Sequence, residues 1–430
     1  MFGLGLNSGL SLSGLPLKHL VLGFSFVIFG WENYLAYRQH RRLKETAVPK
    51  ALGDIVTQET FDKAQAYGRD KSTFSFFSGL YQQLQTTLVF SFDVLPKFWT
   101  LAGGCLAYFG LGGNEIAQSI AFLALTSLAS TAINMPFSLY YTFVVEEKHG
   151  FNKQTLSLYF SDLAKTVLLT GVIGGPLVSA FLWIIKKTGK NFFFYVWLFT
   201  LVFQLVFVTI YPTLIQPLFN KFTPLEDGPL KEKIEALSAR VKFPLTKLFV
   251  VDGSKRSSHS NAYFFGFFKN KRIVLFDTLL EQCNHEEICA VLAHEIGHWK
   301  MSHILKILAI SQVQLFGIFY LFSRVINHTP LYSAFGFDTK PIIIGFLLFQ
   351  YIYTPVESIS GFLMNLLSRK HEFEADAYGK QLGYADTLKS ALVKLQIKNL
   401  GNMNPDKMYS AWHYSHPPLV ERLEGLAKAE

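Results

Sequence analysis

The chain has 430 residues, of which half are hydrophobic, 16% are aromatic and only 17% are charged. A soluble protein usually carries about 25% charged residues, so this composition excludes an ordinary soluble protein and indicates a polytopic membrane protein. The net charge of +9 fits basic loops that face anionic lipid. Because no basic stretch carries a recognisable reading motif, we expect no nucleic-acid partner.

The first predicted span is the apolar run 17–37, which is long enough to cross a bilayer. No small-residue cleavage pattern follows it, so it is interpreted as a retained span and not as a signal peptide. Four basic residues come next: Arg38, Arg41, Arg42 and Lys44. The positive-inside rule therefore predicts a lumenal N-terminus. The polar segment 54–71 is predicted to be an amphipathic cytosolic helix.

Hydropathy predicts about six more spans. They lie at 83–110, 116–144, 166–185, 192–215, 304–325 and 341–366. Asp93, Pro96 and Lys97 lie within the second span and Asn134 within the third, and polar residues at membrane depth rarely face lipid. These positions favour a water-filled interior.

Four parts follow from this layout. Residues 1–215 form an N-terminal membrane region, 216–303 a cytosolic segment with strands at 247–251 and 272–276, 304–367 the last two spans, and 368–430 a C-terminal cytosolic segment. The predicted fold class is mainly α, a polytopic membrane protein of about seven transmembrane helices whose cytosolic portion carries a small β element.

The segment 216–303 contains the HExxH motif His294-Glu295-Ile296-Gly297-His298. Helix residues four apart share a face, so both imidazoles can reach one metal ion at about 2.0–2.1 Å. Glu295 would lie beside the open coordination position and take a proton from the attacking water. Chance gives on the order of 0.01 such matches in a chain of this composition. The alternative is a helix whose two histidines only pack or face water.

A His₂ site of this kind usually takes a carboxylate as its third ligand. Glu372 is the candidate, and Glu374 is its rival by composition. Two predicted spans separate His298 from Glu372, and an even number of crossings returns a chain to the same side. Five crossings place HExxH in the cytosol and seven place Glu372 there, so the topology allows the three side chains to meet.

Several long blocks of sequence carry a resemblance. They are HEIGH (294–298), SRKHEFEADAYG (368–379), YSHPPLVERL (414–423), PFSLYYTFVVEEKHGFNKQT (136–155), IQPLFNKFTPL (215–225) and VDGSKRSSHSNAYFFGFF (251–268). The chain resembles the type I CAAX prenyl endopeptidases, zinc proteases of the endoplasmic reticulum membrane whose helices enclose a large chamber. The likeness runs nearly end to end.

The resemblance implies one Zn²⁺ per chain, held by His294, His298 and Glu372 in a zincin-like portion that is cytosolic or opens towards the cytosol. It implies prenylated CAAX proteins as substrates, which lose their last three residues. A multi-pass protein of the endoplasmic reticulum membrane is expected, in contact with lipid and acting as a monomer.

Further site residues also follow from the resemblance. Asp376, four after Glu372, is either a hydrogen-bond acceptor behind a ligand histidine or a proton donor. His416 matches a transition-state histidine, and Asn261 matches an asparagine on an edge strand that holds extended substrate by β-augmentation. Arg422 matches an arginine near the site, with a structural ion pair as its alternative. Arg369 would neutralise local carboxylate charge or form a surface salt bridge.

Two other functions remain open from the residues. A membrane quality-control metalloprotease would share HExxH and a downstream glutamate without depending on prenylation. A non-enzymatic transporter would also use broken spans and intramembrane charges.

The cysteines Cys105, Cys283 and Cys289 lack CxxC spacing and are interpreted as reduced and buried. The other histidines near the motifs are interpreted as packing or surface residues: His259, His303, His371 and His413.

Overall fold

The computed structural model describes residues 17–266 and 270–428, and helices dominate both stretches. The helices of the first half are α1 (Leu17–Arg42), α2 (Gln58–Ser91), α3 (Val94–Tyr108), α4 (Glu115–Tyr140), α5 (Leu156–Leu169), α6 (Gly175–Thr188) and α7 (Phe192–Ile210). Those of the second half are α8 (Pro229–Val241), α9 (Asp277–Gln282), α10 (His285–Lys300), α11 (His303–Val325), α12 (Thr329–Ser333), α13 (Ile342–Gln381), α14 (Ala385–Lys398), α15 (Lys407–His413) and α16 (Leu419–Ala427). The mainly α fold class is confirmed.

Five helical stretches within the described residues are long and apolar enough to cross a membrane. One of them, Leu156–Leu218, is 63 residues long. A straight helix of that length would measure about 95 Å, three times the hydrocarbon thickness of a bilayer. The chain instead turns at Gly189 (φ 61°), and α6 packs against α7 through Ile185 and Phe192. This stretch therefore contains two membrane helices.

The predicted second span, 83–110, is wrong as a single helix. α2 ends at Ser91 and α3 begins at Val94, with Asp93 between them in the left-handed conformation (φ 49°). Pro96 is tolerated because it lies in the first turn of α3. The Asp93 carboxylate accepts a hydrogen bond from Lys18 Nζ at 2.7 Å. These polar residues therefore mark the junction between two helices.

The predicted bounds of the amphipathic helix at 54–71 are also wrong. The helix begins at Gln58, after the Thr57 cap, and continues without a break to Ser91. Its polar first half and apolar second half form one element, α2, which hydropathy alone does not identify as a span. The count of seven transmembrane helices therefore stays a prediction.

A partly open cleft of 540 Å³ lies between α1, α2 and α13. Polar side chains of Ser25, Asn33, Gln83 and Thr86 line it together with aromatic residues. Asn134, which was predicted to face a polar interior, has a polar neighbour: Gln85 Nε2 lies 3.4 Å from Asn134 Oδ1. The membrane half thus has a space bordered by polar groups.

The four strands form one small mixed sheet. They are β1 (Phe222–Pro224), β2 (Leu245–Val251), β3 (Ala262–Phe265) and β4 (Lys271–Phe276), in the order β1-β2-β4-β3. β2 and β4 are parallel, and the other pairs are antiparallel. One buried cluster joins Ile234 of α8, Ile273 of β4 and Leu292 and Ile296 of α10. The sheet therefore rests on the HExxH helix.

α13 continues from the membrane half into the site as one helix of 40 residues. It measures about 60 Å, twice the hydrocarbon thickness, so its last turns project beyond the bilayer. The predicted boundary at 367/368 falls inside this helix. Two membrane-capable helices, α11 and α13, separate His298 from Glu372 along the chain, as the topology argument requires.

Candidate metal centre

α10 carries the HExxH motif, and its start is fixed by a capping box. Asn284 Oδ1 accepts the backbone N–H of Glu287 at 2.9 Å, and the Glu287 carboxylate accepts the backbone N–H of Asn284 at 2.8 Å. The Glu287 carboxylate also accepts hydrogen bonds from Ser390 (2.8 Å) and Lys394 (2.6 Å) on α14. A buried charge is thus fully partnered, and it ties the HExxH helix to the C-terminal segment.

α10 and α13 approach each other closely at Gly297. A Cβ atom there would lie 3.1 Å from Ala375 Cα and 3.2 Å from the Ala375 carbonyl oxygen. Both atoms belong to backbone and cannot rotate away, so a Cβ at Gly297 would require the two helices to move apart by a few tenths of an ångström. Glu372 lies three residues before Ala375, one helical turn away, and therefore faces the HExxH histidines.

The predicted ligand atoms converge. His294 Nε2 and His298 Nε2 are 3.2 Å apart. The Glu372 carboxylate lies 3.4 Å from His294 Nε2 and 3.3 Å from His298 Nε2. One donor atom from each residue lies within 4.8 Å of the others, and all three residues are buried or half-buried. Two nitrogens and one carboxylate in this arrangement are able to hold a divalent metal ion.

The charges of the site favour a cation. Glu372 Oε2 is buried and has no hydrogen-bond partner among the described residues. Burial lowers the pKa of His294, but the carboxylates of Asp376 and Glu372 outweigh it and raise the pKa to about 9. Arg422 Nη1 lies 3.6 Å from Glu372 Oε2, too far for a hydrogen bond. A buried carboxylate oxygen of this kind beside an imidazole with a raised pKa fits a cation site in its free form. The residues present therefore fit a metal ion.

Glu295 lies next to this convergence point and is half-buried. Burial raises the pKa of its carboxyl group. No cationic side chain among the described residues lies within 4 Å of it, so no salt bridge holds the carboxylate ionised. A carboxylate with a raised pKa in a metal site suits an acceptor of the proton of an attacking water.

Asp376 lies behind His294. Its Oδ1 accepts a hydrogen bond from His294 Nδ1 at 2.8 Å, which leaves Nε2 of the ring free for a metal. Arg422 on α16 donates to both oxygens of Asp376, from Nε at 2.8 Å and from Nη2 at 2.6 Å. The structure therefore places Arg422 in an ion pair behind the ligands, and Asp376 in contact with a ligand histidine.

His416 lies at the mouth of the site. Its Nε2 is 3.3 Å from the Glu372 carboxylate, and its side chain is 66% exposed. The hydroxyl of Ser415 lies 3.0 Å from the other ring nitrogen. His416 is thus the most accessible of the clustered histidines and can reach a group bound in the opening.

Asn261 immediately precedes the edge strand β3. Its carbonyl oxygen accepts the Phe276 backbone N–H at 3.1 Å, which starts the pairing with β4. The outer side of β3 has no strand partner among residues 17–266 and 270–428. β3 is therefore an edge strand, and the binding of substrate along it stays a prediction. Two residues of the quoted block, Phe267 and Phe268, lie outside the described residues.

Comparisons with known proteins agree with this architecture. The family model described as CAAX prenyl protease N-terminal, five membrane helices, matches residues 39–221, and that of peptidase family M48 matches 224–430. CAAX prenyl protease 1 homolog from Arabidopsis thaliana is 49% identical and covers 96% of this chain and 98% of its own length. The human homolog is also 49% identical, with 94% of each chain covered.

The chain belongs to the CAAX prenyl protease family. A solved structure, Ste24p from S. mikatae, superposes with a TM-score of 0.91 at 47% identity, covering 96% of this chain and 99% of that one. The predicted family, its peptidase class and its multi-pass membrane fold are confirmed. The metal ion follows from the metallopeptidase family and from the convergent donors. The N-terminal family description counts five membrane helices, whereas the sequence predicted four spans within the matched residues 39–221 and a fifth, 17–37, before them.

Sequence reasoning missed a second cluster, made of His303, His371 and Glu374. His303 Nδ1 lies 3.0 Å from His298 Nδ1, and His303 Nε2 lies 2.9 Å from Glu374 Oε2. Both histidines are buried, but His303 contacts a predicted ligand and does not only pack. The sequence signal that could have indicated this cluster is His303 itself, five residues after His298. This contact also turns Glu374, the rival third ligand, towards His303.

Two smaller expectations have clear outcomes. Arg369 donates to Glu421 at 2.7 Å, so it forms a salt bridge, but its side chain is only 15% exposed and the pair is partly buried. Cys283 and Cys289 are buried, whereas Cys105 is exposed on α3, which corrects its predicted burial. All three cysteines are free.

Proposed function

We propose that this chain is a zinc-dependent endopeptidase that removes the C-terminal three residues from prenylated CAAX proteins. The convergence of His294, His298 and Glu372 is the observation that carries the proposal. Relatives named CAAX prenyl protease 1 support the substrate class, since they match at 47–49% identity over 94–96% of this chain.

Ligand spacing supports zinc as the metal. Ligands about 2.05 Å from a tetrahedral zinc ion stand about 3.3 Å apart from one another. Here the two Nε2 atoms are 3.2 Å apart, Glu372 Oε1 lies 3.3 Å from His298 Nε2, and Glu372 Oε2 lies 3.4 Å from His294 Nε2, so both carboxylate oxygens are near this spacing. Calcium and magnesium prefer oxygen ligands throughout and a higher coordination number, which two imidazoles do not provide. One ion per chain accounts for this donor set.

The roles of the side chains follow from their positions. A bound zinc ion would act as a Lewis acid on the scissile carbonyl. Glu295 accepts the proton of the attacking water and then passes it to the leaving amine. His416, at the exposed mouth, stabilises the developing oxyanion. Asn261 and β3 hold the extended substrate, with Arg422 acting through Asp376 and not on the substrate directly.

A prenylated substrate explains the membrane location. Each buried CH₂ group of a lipid anchor contributes about 0.8 kcal/mol, so the substrate tail stays in an apolar phase. We place the enzyme in the endoplasmic reticulum membrane, with its site on the cytosolic side or in a chamber that opens there. A monomer suffices, because one chain supplies every side chain of the site.

The test is cleavage of a farnesylated CAAX peptide by the purified full-length protein, with its zinc content measured in parallel. Glu295→Ala should abolish cleavage while zinc stays near one per chain, because Glu295 does not bind the metal. Glu286→Ala is the matched control, since Glu286 lies exposed on the same helix and pairs with Lys233. Full activity of Glu295→Ala would reject the mechanism.

The substrate class has its own test. The unprenylated form of the same peptide should be cleaved much more slowly, and equal rates would favour a prenyl-independent quality-control protease. Purified protein without stoichiometric zinc would favour a non-enzymatic transporter. These three outcomes separate the proposed activity from both alternatives.

A further inference from the structure

The cluster of His303, His371 and Glu374 has no role in the mechanism described above. His303 is 1% exposed and His371 is 4% exposed, while the Glu374 side chain is 33% exposed and reaches solvent. The cluster adjoins the metal centre, because His303 contacts His298. Three metal-binding residue types so close together raise the question of a second ion.

The ring geometry argues against a second metal ion. The imidazoles of His303 and His371 stack in parallel, with their centroids 3.9 Å apart and an interplanar angle of 7°. A metal ion binds a ring nitrogen along its lone pair, in the plane of the ring. No position lies in both parallel planes, so one ion cannot bind both rings well. Both nitrogens of His303 are also occupied by other contacts.

The same contacts set the tautomers of two histidines. His298 Nε2 faces His294 and Glu372, so it is the nitrogen that binds the metal and the proton stays on Nδ1. That Nδ1–H points at His303 Nδ1, 3.0 Å away, which must therefore accept. The proton of His303 then stays on Nε2, which donates to Glu374 Oε2 at 2.9 Å.

We propose that His303 and Glu374 form a positioning relay that orients His298 towards the metal. A ligand histidine usually donates its second N–H to an acceptor that fixes its orientation and raises its basicity. For His298 the acceptor is a neutral imidazole, which Glu374 in turn fixes in the accepting tautomer. His371 supports the relay as a flat surface on which the His303 ring rests. This inference rests on the metal site proposed above.

The two ligand histidines are thus oriented by different means. His294 reaches a buried carboxylate, Asp376, in one step, and Arg422 neutralises that carboxylate. On its Nδ1 side, His298 reaches a carboxylate only through the ring of His303, and this carboxylate is partly exposed, with Lys370 at 3.8 Å. Glu374 can therefore be replaced without leaving an unpaired buried charge, which makes it the suitable residue for a test.

The experiment measures the affinity of the full-length protein for zinc by competition with a chromophoric chelator, and the visible spectrum of the cobalt-substituted protein. We expect Glu374→Ala and His303→Phe to weaken zinc binding about 10- to 100-fold and to alter the cobalt absorption bands, since His298 loses its fixed orientation. Glu374→Gln keeps an acceptor oxygen and should stay near the wild-type affinity. Lys370→Ala is the matched control, because it removes only the outer partner of Glu374.

Unchanged zinc affinity and an unchanged cobalt spectrum in Glu374→Ala would overturn the proposal, even if thermal stability fell. If His303→Phe does not fold, the comparison of Glu374→Ala with Glu374→Gln still decides. Wild-type protein that bound no stoichiometric zinc would instead reject the proposed function. The two failures are therefore distinguishable.

Discussion

Asp376 contacts a ligand histidine and an arginine at once, and this position bears on its two predicted roles. Its Oδ1 faces His294 Nδ1, and both oxygens are held by Arg422. A carboxylate paired in this way favours its ionised form and is a poor proton donor. The geometry therefore supports Asp376 as the acceptor that orients His294.

Replacement of Asp376 by asparagine separates the two roles. We expect Asp376→Asn to lower zinc affinity about 10- to 100-fold, because His294 loses a charged acceptor and Arg422 loses its hydrogen-bonded counter-ion. Chelator competition measures the change. Asp386→Asn, an exposed carboxylate on α14, is the control. A lower kcat with unchanged zinc affinity would instead point to proton donation.

The buried cysteines permit a prediction that is independent of catalysis. Burial raises the pKa of Cys283 and Cys289 to about 11, so at pH 8 their thiolate fraction is about a hundredfold below that of an ordinary thiol. Iodoacetamide should modify neither residue in the native protein and both after denaturation, as read by mass spectrometry. Rapid native modification at either residue would contradict the described burial.

Residue-level chemistry was predictable where spacing alone determines geometry. The HExxH spacing predicted that His294 and His298 share a helix face, and their Nε2 atoms lie 3.2 Å apart. The link from His298 through His303 to Glu374 was not predictable. It requires a turn at Ser302, which adopts the left-handed conformation between α10 and α11, and no sequence period encodes such a turn.

At the scale of elements, the crossing of α10 and α13 determines whether the ligands meet. Gly297→Ala would place a methyl group against the backbone of Ala375, so we expect the helices to separate, at a cost of about 1–3 kcal/mol. Thermal unfolding should occur at lower temperature, and bound zinc should be lost.

The matched control for Gly297→Ala is Gly317→Ala on α11, where an added Cβ meets nothing within 4 Å. There alanine should be neutral or slightly stabilising, because it favours the helix over the unfolded chain. Equal unfolding temperatures for the two variants would show that the close approach at Gly297 is not limiting.

Helix boundaries were less predictable than helix existence. Hydropathy merged the end of α2 with α3 because both are apolar, although Asp93 interrupts them with a left-handed residue. Hydropathy also separated the polar start of α2 from its apolar end. Average polarity over a window does not record where the backbone reverses, so both errors have the same cause.

At the scale of the whole molecule, charged contacts align several helix ends on one face. Glu115, at the start of α4, pairs with Lys186 at 2.7 Å and accepts the backbone N–H of Ile342 at 2.9 Å. The start of α1 and the end of α2 meet through Lys18 and Asp93. The pairing with Glu115 offsets the charge of Lys186, which lies just before the turn between α6 and α7.

Topology reporters test this arrangement. Tags inserted at 226–228, before α8, and at the C-terminus should report the same side, the cytosol, because the two membrane-capable helices α11 and α13 lie between HExxH and Glu372. A tag in the turn 189–191 should report the lumen. Opposite sides for the first two tags would exclude a shared metal.

The path of α13 has a mechanical consequence. A rod of about 60 Å that pivots at its membrane-embedded start moves its far end by about 1 Å for each degree of inclination. Tilt responds to the thickness of the surrounding lipid, and a displacement of this size is enough to disturb the alignment of reacting groups. Through this lever, we expect the hydrolytic rate to depend on acyl-chain length in the host membrane.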